Sequence, residues 1–179
     1  MKKGKLTFFT LTILVLLLIG FLAFYFIDNH QLYGNDRDSI VKVIKSIKGY
    51  ENKSIEILEV KDFNDLRVVG FLSDNSPGYI QFRKNKDDNF VWNYVQVRDD
   101  ETFSSFIPDH LRMFMFVANN ENEIAKMQVS IIGQKFEQKF IPYRATVAWV
   151  DFPETDNSQY EFRNYKYYDK DGNLIKEIN

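Results

Sequence analysis

The chain has no cysteine. That absence removes disulfides, thiolate metal sites, cysteine nucleophiles and lipid attachment through an acylated cysteine together. Histidine is nearly missing as well, since His30 and His110 are the only two. His30 stands in a short polar stretch, where solvation is its ordinary state. His110 follows Asp109, and a carboxylate beside an imidazole can tune a base. Neighbours in a chain seldom turn their side chains toward each other, however, and no activated serine stands nearby. A surplus of positive charge is lacking too. Once the leading Lys2, Lys3 and Lys5 are set aside, 20 cations face 25 anions, a balance that excludes nucleic acid as the expected partner. No internal repeat or low-complexity tract is present.

Charge is also missing from one long run. Leu6 to Ile27 holds 22 positions without an ionisable acid or base, sixteen of them Leu, Ile, Phe or Val. At about 1.5 Å per residue the run is ~33 Å long as a helix, enough for a hydrocarbon core of about 30 Å. Residues 6–27 therefore read as a transmembrane helix whose partner is the lipid bilayer. Three lysines precede it, while Asp28 follows it and the next cation is Arg37. By the positive-inside rule residues 1–5 are a cytoplasmic tail and the rest is extracytoplasmic. The competing reading is a cleaved signal peptide and a secreted chain. The run exceeds the roughly 7–15 residues of an ordinary signal core and ends in Phe24-Tyr25-Phe26 rather than small residues, which favours the anchor. Gly20 and Ala23 are spaced as in small-residue helix contacts, a spacing that lipid-facing filler shows just as often.

Residues 28–35 read as a polar spacer. Asn35 or Asp36 can cap a helix running to Lys48, with Ile40, Val43, Ile44 and Ile47 on one face and Gly49 at its end. Lys42, Lys45 and Lys48 form a basic stripe on another part of that helix, an ordinary solvated face that could also meet anionic headgroups.

From Ser54 the period changes to two. Strands are expected over Ser54–Val60, Leu66–Leu72, Tyr79–Arg83 and Phe90–Val97, separated by turns at Asp74–Gly78 and Asn85–Asn89. Phe90, Trp92 and Tyr94 then share one face. The charge run Arg98-Asp99-Asp100-Glu101 and Pro108 break the pattern, with one helical turn expected over Thr102–Ile107. In the next strand Leu111, Met113, Met115 and Val117 lie on one side and Phe114 and Phe116 on the other, so both faces want covering and the strand is expected to be central. Alternation resumes at Met127, Val129 and Ile131 and at Val147 and Trp149, and Asp171-Gly172 turns the chain into Leu174–Ile178.

The expected fold class is α+β: the N-terminal transmembrane helix, a helix with an antiparallel sheet over residues 36–109, and a small, mostly antiparallel β-sandwich over residues 110–179. The runs MQVSIIG, TVAWVDFP and YYDKDGNLI give the last part a texture that resembles the Ig-like β modules appended to membrane-anchored extracytoplasmic proteins of bacillus-type Gram-positive bacteria. That resemblance covers about 70 residues and carries no site residue with it.

No catalytic or cofactor-binding constellation and no metal site is recognisable. Asp169-Lys170-Asp171-Gly172-Asn173 has the alternation of a calcium loop, but its glycine is fourth rather than sixth and the chain stops before a twelfth position, so a hairpin turn is expected. Asp87 and Asp88 stand at one end of a strand and Asp99 and Asp100 at the other, so they should not converge on one ion. Tyr160 and Phe162 share one strand phase, while Tyr165 and Tyr167 share the opposite one. A bulge is therefore expected near Arg163-Asn164, leaving one aromatic set exposed. Tyr165 and Tyr167 are the candidate binding residues, placed to stack on sugar or to seat a protein, against the ordinary alternative of cross-strand pairing inside the fold. The expected function is a non-catalytic binding or regulatory module acting on a membrane or envelope protein. A cell-wall glycan or peptide ligand is the alternative, and a carboxylate-dependent wall hydrolase a third reading.

Overall fold

The computed structural model of the chain describes residues 13–22, 31–154 and 160–178. Two compact units are present, Met1–Leu32 and Tyr33–Asn179. In the first, residues 13–22 form a helix (α1) with every side chain exposed. Residues 6–12 and 23–27 of the expected span lie outside the described residues, and among the described residues no helix is long and apolar enough to cross a membrane.

The second unit opens with α2, Arg37–Ser46. Asp36 caps it reciprocally: its carboxylate accepts from the Ser39 N–H at 2.8 Å, and its own N–H donates to Ser39 Oγ at 2.9 Å, which satisfies two amides that the first turn leaves unpaired. Gly49, at φ +97°, follows the helix end. Ile40, Val43 and Ile44 are fully buried.

Among the described residues eleven strands follow, and each ladder is antiparallel. Sheet A has the order β1 (Ile55–Phe63), β2 (Leu66–Ser73), β3 (Ser76–Lys84), β4 (Phe90–Val97). The β2–β3 turn is only two residues long, Asp74-Asn75, and both adopt positive φ, as a hairpin matched to strand twist requires. Sheet B is β5 (Phe103–Phe106), β6 (Met113–Ala118), β9 (Thr146–Asp151), in that order. Sheet C has the order β11 (Leu174–Ile178), β10 (Phe162–Tyr168), β7 (Lys126–Ile131), β8 (Gln134–Lys139).

Period-two alternation stacks these elements in four layers. On β2, Val69 and Phe71 join α2 in one core, while Leu66, Val68 and Leu72 face the other way. That second face meets Met115 and Val117 of β6 and Val147 and Trp149 of β9. The opposite faces of those strands, Phe114, Phe116, Ala118, Ala148 and Val150, close a third core against Met127, Val129, Ile131 and Tyr167 of sheet C. β6 is central and covered on both sides, as its two apolar faces require. The middle core joins residues from both sides of the expected boundary at residue 109.

Three expectations are corrected. Thr102–Ile107 is not a helical turn: β5 occupies it, because pairing with β6 satisfies its backbone while Phe103 and Phe106 enter two different cores. Phe90, Trp92 and Tyr94 do not share a face, since a register shift in the β3–β4 ladder sets Trp92 opposite Phe82 and Tyr94 opposite Gln81. The spacer is shorter than residues 28–35. Gly34 donates its N–H to the Phe90 carbonyl at 2.8 Å, and Asn35 accepts from the Phe90 N–H at 2.9 Å.

Arg67 clamps that docked segment. Its guanidinium donates to the carbonyls of Gly34 and Asn35 at 2.8 and 2.9 Å, grips both Asp62 oxygens at 2.7 Å or less, and lies 3.9 Å from the Phe90 ring centroid. The Arg67 hydrogen bonds hold the Asp62 carboxyl below its usual range.

One buried group opposes the packing. Gln81 is fully buried on β3, and neither amide atom has a hydrogen-bond partner among the described residues. Leaving such groups unpaired costs free energy that an apolar residue of similar shape avoids. Gln81→Met is therefore expected to raise stability by about 1–3 kcal/mol. The check is a higher urea midpoint at unchanged slope.

Candidate functional site

In sheet C the alternation separates a core face from a face with no further layer on it. Met127, Val129 and Ile131 point inward, so Lys126, Gln128 and Ser130 point outward. Residues directly opposite on paired strands share a face. Three rows therefore cross the outer surface: Lys139, Lys126, Tyr168 and Leu174; Glu137, Gln128, Lys166 and Glu177; Lys135, Ser130 and Arg163. Gln128 Nε2 donates to Glu137 at 2.8 Å, and the Tyr168 hydroxyl donates to Gln128 Oε1 at 3.1 Å. Lys126 Nζ lies 4.4 Å from the Tyr168 ring centroid, and Lys166 pairs with Glu177 at 3.0 Å. Glu137 is held below the usual carboxylate range, first by the Gln128 hydrogen bond and then by Lys126, Lys139 and Lys135 around it.

A β-bulge breaks the middle of this face. The β10–β7 register shifts between Arg163 and Lys166, and Asn164 takes φ +58°, a left-handed conformation that asparagine tolerates better than most residues. Beside it lies an open depression of about 430 Å³, lined by Gln128, Ser130, Lys135, Asn164, Lys166 and Tyr168.

The bulge falls where the aromatic phase change requires it, but its consequence is the reverse of an exposed aromatic set. The extra residue brings Phe162, Tyr165 and Tyr167 onto the same, inward face. Tyr167 is 7% exposed in the core between sheets B and C, and Tyr165 packs half-buried against that core. Burial pushes the Tyr167 hydroxyl up to about 12, with Tyr165 and Glu101 adding to the rise. The expected exposure of the pair is corrected: Tyr165 and Tyr167 face the core between sheets B and C rather than forming an open platform.

A second concavity lies between two sheet edges. β5 ends sheet B and β11 ends sheet C, and a groove of about 180 Å³ is lined from both by Phe103, Ser104, Lys176 and Ile178, with Arg98 and Tyr167. β11 is exposed at every residue, with Leu174, Ile175 and Ile178 among the exposed large apolar side chains. Ile175 is left unpaired where the β10–β11 register shifts.

The remaining sequence candidates do not assemble a reactive centre. Asp109 and His110 do touch, at 3.1 Å, contrary to the expectation for neighbours, because His110 adopts φ +64° in a turn. Both side chains are exposed. Asp169 uses its carboxylate within the β10–β11 hairpin, accepting from the N–H groups of Asp171 and Asn173. Asp88 lies 3.6 Å from Lys84 at one end of β4, and Asp99 and Asp100 line a different hollow beside Tyr50 and Lys53. Among the described residues no group of three or more His, Asp or Glu is placed to hold a metal ion. His30 lies outside the described residues.

Sequence reasoning missed Lys126, Lys135, Asn164 and Lys166 as one surface. The alternation Lys135, Glu137, Lys139 was visible on β8, but only pairing across β7 and β10 brings these residues together.

The fold defines an antiparallel β unit of three stacked sheets, with α2 as a fourth layer on sheet A. No family model, curated protein or solved structure matches the chain.

Proposed function

We propose that this chain is a single-pass membrane protein that holds its β-rich unit outside the cytoplasm and there binds a membrane or envelope protein, without catalysis. The anchor is residues 6–27, and the sandwich of sheets B and C serves as its Ig-like module.

The observation that carries the reading is β11. An edge strand exposed along its whole length, bearing apolar side chains and open backbone groups, is a template for an added strand. The partner would contribute an extended segment, its backbone pairing with β11 and its side chains meeting Leu174, Ile175 and Ile178.

The test is capture with the tagged full-length chain from detergent-solubilised membranes, after protease shaving of intact cells has shown whether the outer unit is accessible. The expected result is a stoichiometric protein partner whose recovery falls at least tenfold with Ile175→Lys, since lysine on an edge strand discourages pairing. No stoichiometric partner, or equal recovery with the variant, overturns the proposal. A mature chain that begins near Asp28 in the medium would replace the anchor with a signal peptide.

A further inference from the structure

We propose that the outer face of sheet C binds an acidic polysaccharide. The first argument is charge. Among the described residues Lys126, Lys135, Lys139, Arg163 and Lys166 share this face with Glu137, Glu161 and Glu177; these carboxylates pair with Lys126, Arg163 and Lys166, and Lys135 and Lys139 are the cations in excess. It is thus net positive on a chain that, from Asp28 onward, has 20 cations against 25 anions. Against that background, an excess of cations on one face makes it a focused attractor for a polyanion.

The second argument is the chemistry between the cations. Ser130 and Asn164 present side chains that make no hydrogen bond among the described residues. With the Tyr168 hydroxyl they place neutral donors and acceptors beside Lys135 and Lys166, the combination that sugar hydroxyls and a carboxylate need together. The volume of about 430 Å³ lies within the roughly 300–1,000 Å³ of small-ligand clefts.

The same face argues against two other polyanions. Its outward rows carry a single aliphatic side chain, Leu174 at the β11 end of one row, and no tryptophan, less apolar surface than a bilayer-docking face would bury among headgroups. Its one aromatic, Tyr168, is covered by Lys126, so no platform is left on which a nucleic-acid base could stack. A chain of acidic sugars needs neither. It would cross the sheet along the three rows, with one carboxylate on Lys135, others competing with Glu177 and Glu161 for Lys166 and Arg163, and its hydroxyls over the bulge.

The test is retention of the full-length protein, in detergent micelles, on immobilised polygalacturonate and on its fully methyl-esterified form, which keeps the sugar backbone and removes the charge. Binding to the acid form should exceed that to the ester at least tenfold. Lys135→Glu should lower it by at least tenfold, whereas Lys86→Glu, the same charge change at an exposed turn between β3 and β4, should leave it unchanged. Asn164→Gly removes the amide while easing the left-handed backbone, and should lower binding about threefold. If Lys135→Glu shifts the melting temperature, Asn164→Gly carries the test. Equal retention on acid and ester, equal loss in both lysine variants, or binding to phosphatidylglycerol vesicles with none to polygalacturonate would overturn the proposal. The site does not use the β11 edge, so its failure leaves the protein-binding reading standing.

Discussion

Phe116→Ala is expected to remove about 3–5 kcal/mol of stability, the usual cost of emptying a buried phenylalanine site. Phe116 is 1% exposed at the centre of β6. Its ring centroid lies 5.7 Å from that of Phe103, 5.4 Å from Phe114 and 5.1 Å from Phe140, so it joins β5, β6 and the segment after β8. Phe103 and Phe114 belong to strands fixed by their ladders and Phe140 is tied by its N–H to the Ala125 carbonyl, so the rings have little freedom to collapse into the space, which puts the cost at the upper part of the range. For a unit of this size the melting temperature should fall by ~2–4 °C per kcal/mol. Because β6 also closes the core toward sheet A, thermal unfolding followed by far-UV circular dichroism should shift as one transition. A split into two transitions, with only one displaced, would show that the middle core does not couple sheet A to sheets B and C.

Gly70→Ala should cost about 1–3 kcal/mol, the usual range for overpacking. In most strand interiors the same change would stabilise, because alanine loses less chain entropy than glycine on folding. The sign is reversed here by what a Cβ would meet. It would lie 2.5 Å from Val147 Cγ2 and 2.7 Å from Met115 Cε, both on sheet B. Met115 can swing its terminal methyl away, but Val147 is branched at Cβ and held in the β9 ladder. Gly70 is therefore a point of close approach between sheets A and B. Val147→Ala removes the offending methyl, so the double variant should recover part of what the two single changes lose. Urea midpoints of the four proteins give the coupling. Strict additivity would mean that the sheets approach each other somewhere else.

The element types were legible because they depend on local chemistry. The residues Ile40, Val43, Ile44 and the Asp36 cap define a helix from a ten-residue window, and the period-two runs define β2 and β4 to within a residue and β1, β3 and β6 to within three. β6 announced its own central position by carrying Met115 and Val117 on one face and Phe114 and Phe116 on the other. β5 was not legible. Thr102–Ile107 has no periodic signal of its own, and its strand conformation comes from the β6 edge beside it.

Sequence by itself determined where most of the strands fall, that no cysteine chemistry operates, and that residues 6–27 are uncharged and long enough to span a bilayer. It also required a phase change near Asn164. Only tertiary structure decided what that phase change does, for a bulge can turn an aromatic set either outward or inward, and the choice depends on which face of β10 the neighbouring sheet covers. The same holds for Gly70, whose role is set by Val147 and Met115 more than forty residues away, and for the cationic rows of sheet C. Their lysines come from three strands, and pairing register, an interaction between distant segments, is what places them side by side.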